Sequence, residues 1–494
     1  MDSSSIRQQA LGGVFWTAVE RTGTTVAQFV VSIILARLLS PAEFGLVGMI
    51  GVFLVVSQSF VDSGFGKALI QRKSPTRLDE SSVFYFNIIV SVFCMALLWI
   101  AAPFIAAFYK EPALIAITRA MSCILVIGAF GSIQINLLTK SLDFKSQAFI
   151  SMSATLISGL IAIVMAYHGY GVWSLVVMSI VGSFVTSVLY WVMSRWRPLI
   201  QFSLVSLKSY FSFGSKLLVS GIIDQIFTNL YPVIIGKLFS ANVVGYYNRA
   251  QTFSQVASNS IIGVASKVLL PTLCAVNHDI NRLRRIVERG VIVLVFLVFP
   301  VMVGLFVTAY PLIIFLLTDK WLPVVPILQV LCFMGIFLPL HIINLQVLQA
   351  LGRSDLFLKL EIVKKATLIF SIALSFRYGI ILMLVSHVFF VSFAGFAINA
   401  FYTGKLIGFG ARQQFRAISS IFAAGLFMGF VIYPIQWLHL PLIALLMLQT
   451  GLGIVVYLAV SRVFKLEALH ELVDLMAHYL PERHMRRLRR VFIG

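Results

Sequence analysis

Residues 33–53 read IILARLLSPAEFGLVGMIGVF, and residues 233–253 read VIIGKLFSANVVGYYNRAQTF. Superposed at an offset of 200, the stretches share Ile34 with Ile234, Leu38 with Leu238, Ser40 with Ser240, Gly45 with Gly245 and Phe53 with Phe253. Arg37 aligns with Lys237, so the charge is kept as well. Each stretch forms the turn between two apolar runs. A turn that recurs after an even number of membrane helices leaves both halves in the same orientation, related by an axis along the membrane normal. The predicted fold is all-α, with two pseudo-symmetric six-helix lobes around a central cavity and two extra helices.

The rest of the chain supports a membrane setting. Of its 494 residues 60% are hydrophobic and only 11% charged, where a soluble domain carries about 25% charged residues. This excludes an ordinary soluble enzyme, a disordered chain and a disulfide scaffold. Cys94, Cys123, Cys274 and Cys332 lie in or beside apolar runs without a C-x-x-C and read as small buried hydrophobes. A crossing helix needs about 20 apolar residues. Fourteen segments qualify, at 14–38, 43–63, 82–108, 114–138, 148–167, 171–193, 210–236, 244–272, 290–310, 322–348, 362–376, 380–402, 417–437 and 441–461. The N-terminal lobe is assigned to 1–200, the C-terminal lobe to 201–403, the extra pair to 404–461 and a basic tail to 462–494. Glu20 and Arg21 inside the first apolar run argue for a retained helix rather than a cleaved signal peptide.

The net charge of +20 is sorted along the chain. With the N-terminus in the cytoplasm, 28 of the 38 basic residues fall on the cytoplasmic side. Only Arg37, Lys110, Lys237, Lys320 and Arg377 fall on the other, and five lie within the spans. This is the positive-inside pattern. It predicts both termini in the cytoplasm and gives no reason to expect nucleic acid.

Polar side chains inside spans cost free energy and usually meet a partner or a cavity. In the first span Glu20, Thr24 and Gln28 recur every four residues, with Arg21 beside them. In the second, Gln58 and Asp62 are four apart; in the seventh, Lys216, Ser220, Asp224 and Thr228 share a face. In the eighth, Asn248, Thr252, Gln255 and Asn259 do, joined by Arg249. The first two helices of each half are thus the polar ones. Arg21, Lys216, Arg249, Asn248, Gln255 and Gln28 are the candidate substrate-binding residues, the cations being suited to a pyrophosphate or an acidic sugar. Glu20, Asp62 and Asp224 are candidates for a coupling ion, Na⁺ or H⁺. Hydrogen bonding between helices is the competing explanation for all of them.

No catalytic residue or metal site is assigned. The stretch around Gly66-Lys67 has Val61 and Ala68 where a P-loop needs Gly and Ser or Thr, and His470-Glu471 is followed by Asp474 rather than a second His. The periplasmic connections are too short for an enzyme acting on sugars at that face. Gly425-x-x-x-Gly429 permits close helix packing, within the monomer or in a dimer. Beyond 462, Leu466, Leu469, Leu472, Met476 and Leu480 recur at helical spacing before an Arg-rich run from Arg483 to Arg490, a pattern suited to an anionic membrane surface.

The stretches ILARLLSPAEFGLVGMI, FVDSGFGKALIQRK, IAAFYKEPAL, LLTKSLDFKSQA, VVGYYNRAQTFSQ and LQALGRSDLFLKLEIVKK resemble the polysaccharide transporters of the multidrug/oligosaccharidyl-lipid/polysaccharide exporter superfamily. The resemblance is greatest to Wzx-type flippases of lipopolysaccharide and exopolysaccharide biosynthesis, in their colanic-acid-exporter branch, and covers nearly the whole chain. It implies alternating access in the bacterial inner membrane and an undecaprenyl-diphosphate-linked oligosaccharide as substrate. Other polysaccharide-assembly proteins are implied as partners, with membrane lipids at the tail. An ion-coupled multidrug exporter or a peptidoglycan-precursor flippase is the alternative within the superfamily; a polymerase or ligase is the alternative outside it.

Overall fold

In the computed structural model, residues 23–62, 65–66, 69, 75–438 and 440–477 are described. No strand occurs among the described residues, and their membrane segments are helical, a form that satisfies the backbone where no water can. The helices run α1 Gly23–Leu38, α2 Pro41–Asp62, α3 Arg77–Tyr109, α4 Leu114–Lys140, α5 Phe144–Tyr167, α6 Val172–Met193, α7 Leu204–Thr228 and α8 Leu230–Leu238. There follow α9 Ala241–Ala275, α10 Ile280–Leu317, α11 Val324–Ala350, α12 Ser354–Ser375 and α13 Ile380–His387. The last four are α14 Ala394–Ile407, α15 Ala411–Ile432, α16 Leu442–Val463 and α17 Glu467–Ala477.

Among the described residues ten helices are long and apolar enough to span a membrane, or twelve if two bent pairs each count as one span. The expected fourteen are not reached, for two local reasons. α1 is described only from Gly23 and is too short. α12 forms where the eleventh span was expected, but Lys359, Glu361, Lys364 and Lys365 make it too polar to qualify.

The chain divides into two compact units, one ending at Asn248 and one beginning at Arg249. The boundary falls inside α9, so the seventh expected span packs with the first unit, where α2 meets both α7 and α8. Short polar segments set the helix starts. The Ser40-Pro41 turn is a capping box: Ser40 N donates to Glu43 Oε2 at 2.6 Å and Glu43 N to Ser40 Oγ at 3.4 Å. Thr76 and Asp79 do the same for α3. The 194–203 connection is stitched to the start of α3. Trp196 Nε1 donates to Glu80 Oε2 at 2.7 Å, and Leu199 N and Ser203 N donate to the Ser81 and Ser82 hydroxyls.

The offset of 200 reappears as a contact. A Cβ on Gly45 would strike the Ala241 carbonyl, and one on Gly245 would strike the Pro41 carbonyl. Pro41 and Ala241 are themselves 200 apart, so the starts of α2 and α9 cross reciprocally. Two glycines stand here because backbone meets backbone with no room for a side chain.

The second unit is built on α10, which packs on α11, α15, α16 and α17. Gly425 and Gly429 let α15 close on Phe299 and Val303 of α10, so this motif serves packing within the chain. Leu466, Ala468 and Leu469 at the start of the expected tail are buried in the same core, and Glu471 pairs with Arg289 at 3.0 Å. That part of the tail therefore packs on protein rather than lying on a membrane surface. Its Arg-rich run falls outside the described residues.

Candidate substrate-binding site

In the first unit α1, α5 and α6 line a cavity of about 350 Å³. Its polar lining is Gln28 from α1, Ser151, Thr155 and Ser158 from α5, and Ser179, Ser183 and Thr186 from α6. Both hydroxyl sets follow the spacing i, i+4, i+7, which places three side chains on one helix face. Gly182 lies between them, with the Ser158 hydroxyl in van der Waals reach of where its Cβ would be. Ser158 is buried, Gln28 is exposed and the other five are half-buried. No ionisable side chain lines the cavity among the described residues.

The hydroxyls are partly committed. Ser179 Oγ donates to Leu175 O at 3.0 Å and Ser158 Oγ to Thr155 O at 3.3 Å. A hydroxyl that donates to its own helix keeps two lone pairs. These two hydroxyls therefore present acceptors to the cavity, each of the six offers two lone pairs, and Gln28 adds an amide that both donates and accepts. Such a lining suits a neutral, hydroxyl-rich ligand.

Among the described residues singled out in the sequence, Gln28 alone lines this cavity. Asp62 is exposed at the end of α2 and accepts from Gln58 Nε2 at 3.1 Å. Ser220, Asp224 and Thr228 form an exposed polar face on α7, as their spacing predicts. That face ends at Asn229, whose Nδ2 donates to Gln225 O at 2.8 Å where α7 and α8 meet at a 42° bend. Asn248 lies against Gly48, its repeat equivalent at the same α2–α9 crossing. In the second unit, Arg249 is half-buried and Gln255 exposed on α9. Glu20, Arg21 and the Lys216 side chain fall outside the described residues. Another intramembrane cation, Arg119, packs 5.7 Å over the Trp99 ring, a structural contact. The hydroxyl stripes of α5 and α6 went unnoticed in the sequence because Ser and Thr barely lower hydropathy; their matched i, i+4, i+7 spacing was the available signal.

The fold defines a polytopic α-helical membrane protein with a polar intramembrane cavity. The chain belongs to the polysaccharide biosynthesis protein family, which matches residues 34–326. It is 28% identical over 355 residues to the teichuronic acid biosynthesis protein TuaB of Bacillus subtilis, covering 71% of this chain and 73% of that one. It is 25% identical over 366 residues to the lipopolysaccharide biosynthesis protein WzxC of Escherichia coli, covering 73% and 74%. To the succinoglycan transport protein ExoT of Rhizobium meliloti it is 28% identical over 329 residues, covering 66% of each. Its fold is similar to that of the lipid II flippase MurJ in an inward closed conformation, with a TM-score of 0.72 at 16% identity over 91% of this chain and 98% of that one.

Proposed function

We propose that this protein is a flippase that moves undecaprenyl-diphosphate-linked oligosaccharide repeat units from the cytosolic to the periplasmic leaflet of the inner membrane. One observation carries the reading: a chain of the polysaccharide biosynthesis family has the fold of a lipid-linked-sugar flippase over nearly its full length. The hydroxyl-lined cavity adds a chemical reason. Sugar hydroxyls donate to acceptor-rich surfaces, and this surface is neutral. In this reading Gln28 and the two hydroxyl stripes contact sugar. Arg21, Lys216 and Arg249, with Asn248 and Gln255, meet the pyrophosphate and acidic groups. Glu20, Asp62 or Asp224 takes a coupling Na⁺ or H⁺. Both termini are cytoplasmic, and the Arg-rich end of the tail meets anionic lipid.

A deletion strain tests the function. Without the protein, undecaprenyl-linked repeat units should accumulate on the cytosolic leaflet and polymer should disappear from the surface. Absence of accumulation sinks the reading. The likeness to the MurJ fold favours peptidoglycan precursors as the second reading. Rescue of a strain depleted of its lipid II flippase by this chain would select that reading instead.

A further inference from the structure

Among the described residues, two imidazoles lie within the membrane-spanning helices of the second unit, outside the cavity described above. His341, half-buried on α11, touches hydrogen-bonding groups with both ring nitrogens. Nε2 lies 2.9 Å from the Ser392 carbonyl and Nδ1 lies 3.1 Å from Asn399 Nδ2. A carbonyl only accepts, so Nε2 carries the hydrogen. Nδ1 is then a lone pair, and it accepts from the Asn399 amide. The neutral ring is satisfied at both ends, in one tautomer.

The surroundings are as specific. Ser392 belongs to Val388–Phe393, a six-residue π-helical stretch between α13 and α14. Such stretches disturb the i→i+4 ladder and often mark sites with a function beyond packing. Gly395, in the next turn, makes room for the ring: a Cβ there would sit 3.1 Å from His341 Cε1. His387, the last residue of α13, is an electrostatic neighbour of His341, and Lys364 of α12 acts on both rings. Lys364 is held by Glu361 at 3.0 Å. α14 contributes the neutral Asn399, and the charged side chains of α10 are confined to 282–289. α12 is tied to α13 beside His387 by a 2.8 Å contact between the Ser371 and Ser386 hydroxyls.

We propose that His341 is a reversible proton-binding site whose occupancy is read by the Asn399 amide. A hydronium ion gives its proton to the Nδ1 lone pair and leaves as water. The new Nδ1–H then points at the amide NH₂, donor against donor. Asn399 relieves the conflict by turning its amide so that Oδ1 accepts. The imidazolium is repelled through space by the Lys364 cation of α12, which opposes proton uptake. His387 and His341 compete for one proton, since two adjacent imidazolium ions repel. This site is independent of the transport reading.

The test uses the full chain with ¹⁵N-labelled histidine in bilayers of phosphatidylethanolamine and phosphatidylglycerol, and the proton is the probe. Solid-state NMR follows the ring nitrogens from about pH 8 to about pH 4, and H341Q identifies the signal among the eight histidines. The expected result is an Nε2–H tautomer at high pH that gains a hydrogen on Nδ1 in one step. N399D supplies a fixed acceptor and should move that step to higher pH by about one unit, tenfold in proton affinity. K364Q, at a half-exposed position on α12, should move it the same way by removing a cation, and serves if N399D does not fold. A ring that never gains the Nδ1 hydrogen in wild type or variants overturns the proposal. So does a step that neither variant moves.

Discussion

The hydroxyl cavity of the first unit and the amide pair of the second use intramembrane polarity in opposite ways. In the cavity, Ser158 and Ser179 donate to their own helices and five of the seven polar side chains are half-buried. Asn344 of α11 and Gln414 of α15 are fully buried. They exchange hydrogen bonds, Asn344 Nδ2 to Gln414 Oε1 at 3.0 Å and Gln414 Nε2 to Asn344 Oδ1 at 2.8 Å. Gln414 also donates to Phe409 O, and Asn344 to Leu340 O. The amides spend their capacity on each other across helices. The Ser158 and Ser179 hydroxyls spend only a proton each on the local backbone and keep their acceptor capacity. Polarity tied across helices holds a fold; polarity tied to its own helix remains available to a ligand.

The sharpest way to break this comparison is N344L. It leaves the Gln414 amide buried without its partner, which costs about 1–3 kcal/mol. Thermal melting of the detergent-solubilised protein should fall by several degrees. N344L/Q414L, which removes both partners, should recover most of that loss. Equal melting of single and double variants would show that the pair is not coupled.

A second test acts on the other side of the comparison. T155V/S179A/S183A should leave melting within about 0.5 kcal/mol of wild type. Surface polymer in a complemented deletion strain should drop by about tenfold, as loss of one to two ligand hydrogen bonds would produce. A large fall in melting with unchanged polymer would assign the stripes to helix packing instead.

The smallest effect is expected at Arg353 and Asp355, an exposed pair at 2.9 Å at the start of α12. The Arg353 guanidinium, by hydrogen bonding, holds the Asp355 carboxyl down at about 2. A depressed carboxylate stabilises the fold above its unfolded pKa and loses that contribution as pH falls through the folded value. The pair stays ionised in the fold down to about pH 3, but its contribution is complete only above about pH 5 and fades progressively from there to about pH 1, as first the unfolded and then the folded carboxyl takes up a proton. Solvent screens it, so D355N should leave the neutral-pH melting curve unchanged.

Much of the helical layout was legible because it rests on sums over short windows. Hydropathy placed the spans, and Ser40 and Glu43 marked the start of α2. Gly45 and Gly245 were visible as a repeat, but their reciprocal contact with Ala241 and Pro41 was not. The helices beyond the first two of each half read as nearly uniform apolar runs. That reading hid His341, Asn344, His387 and Asn399, because a few polar residues in a long apolar run hardly change a window average, while Gln414 stood in the polar stretch before the span expected at 417–437. It also placed Leu466 and Leu469 on a membrane surface, since an amphipathic face carries no mark of whether lipid or protein covers it.

By itself the sequence determined that the chain spans a membrane, that its basic residues are sorted unevenly among the connections, and that two of its turns repeat at a spacing of 200. These follow from transfer free energy and charge, which each segment carries alone. Only the tertiary structure decided which polar groups find each other. Asn344 and Gln414 are 70 residues apart, and His341 and Asn399 are 58 apart. A hydrogen bond needs its partner within about 3 Å in a fixed direction, and no local pattern encodes that distance.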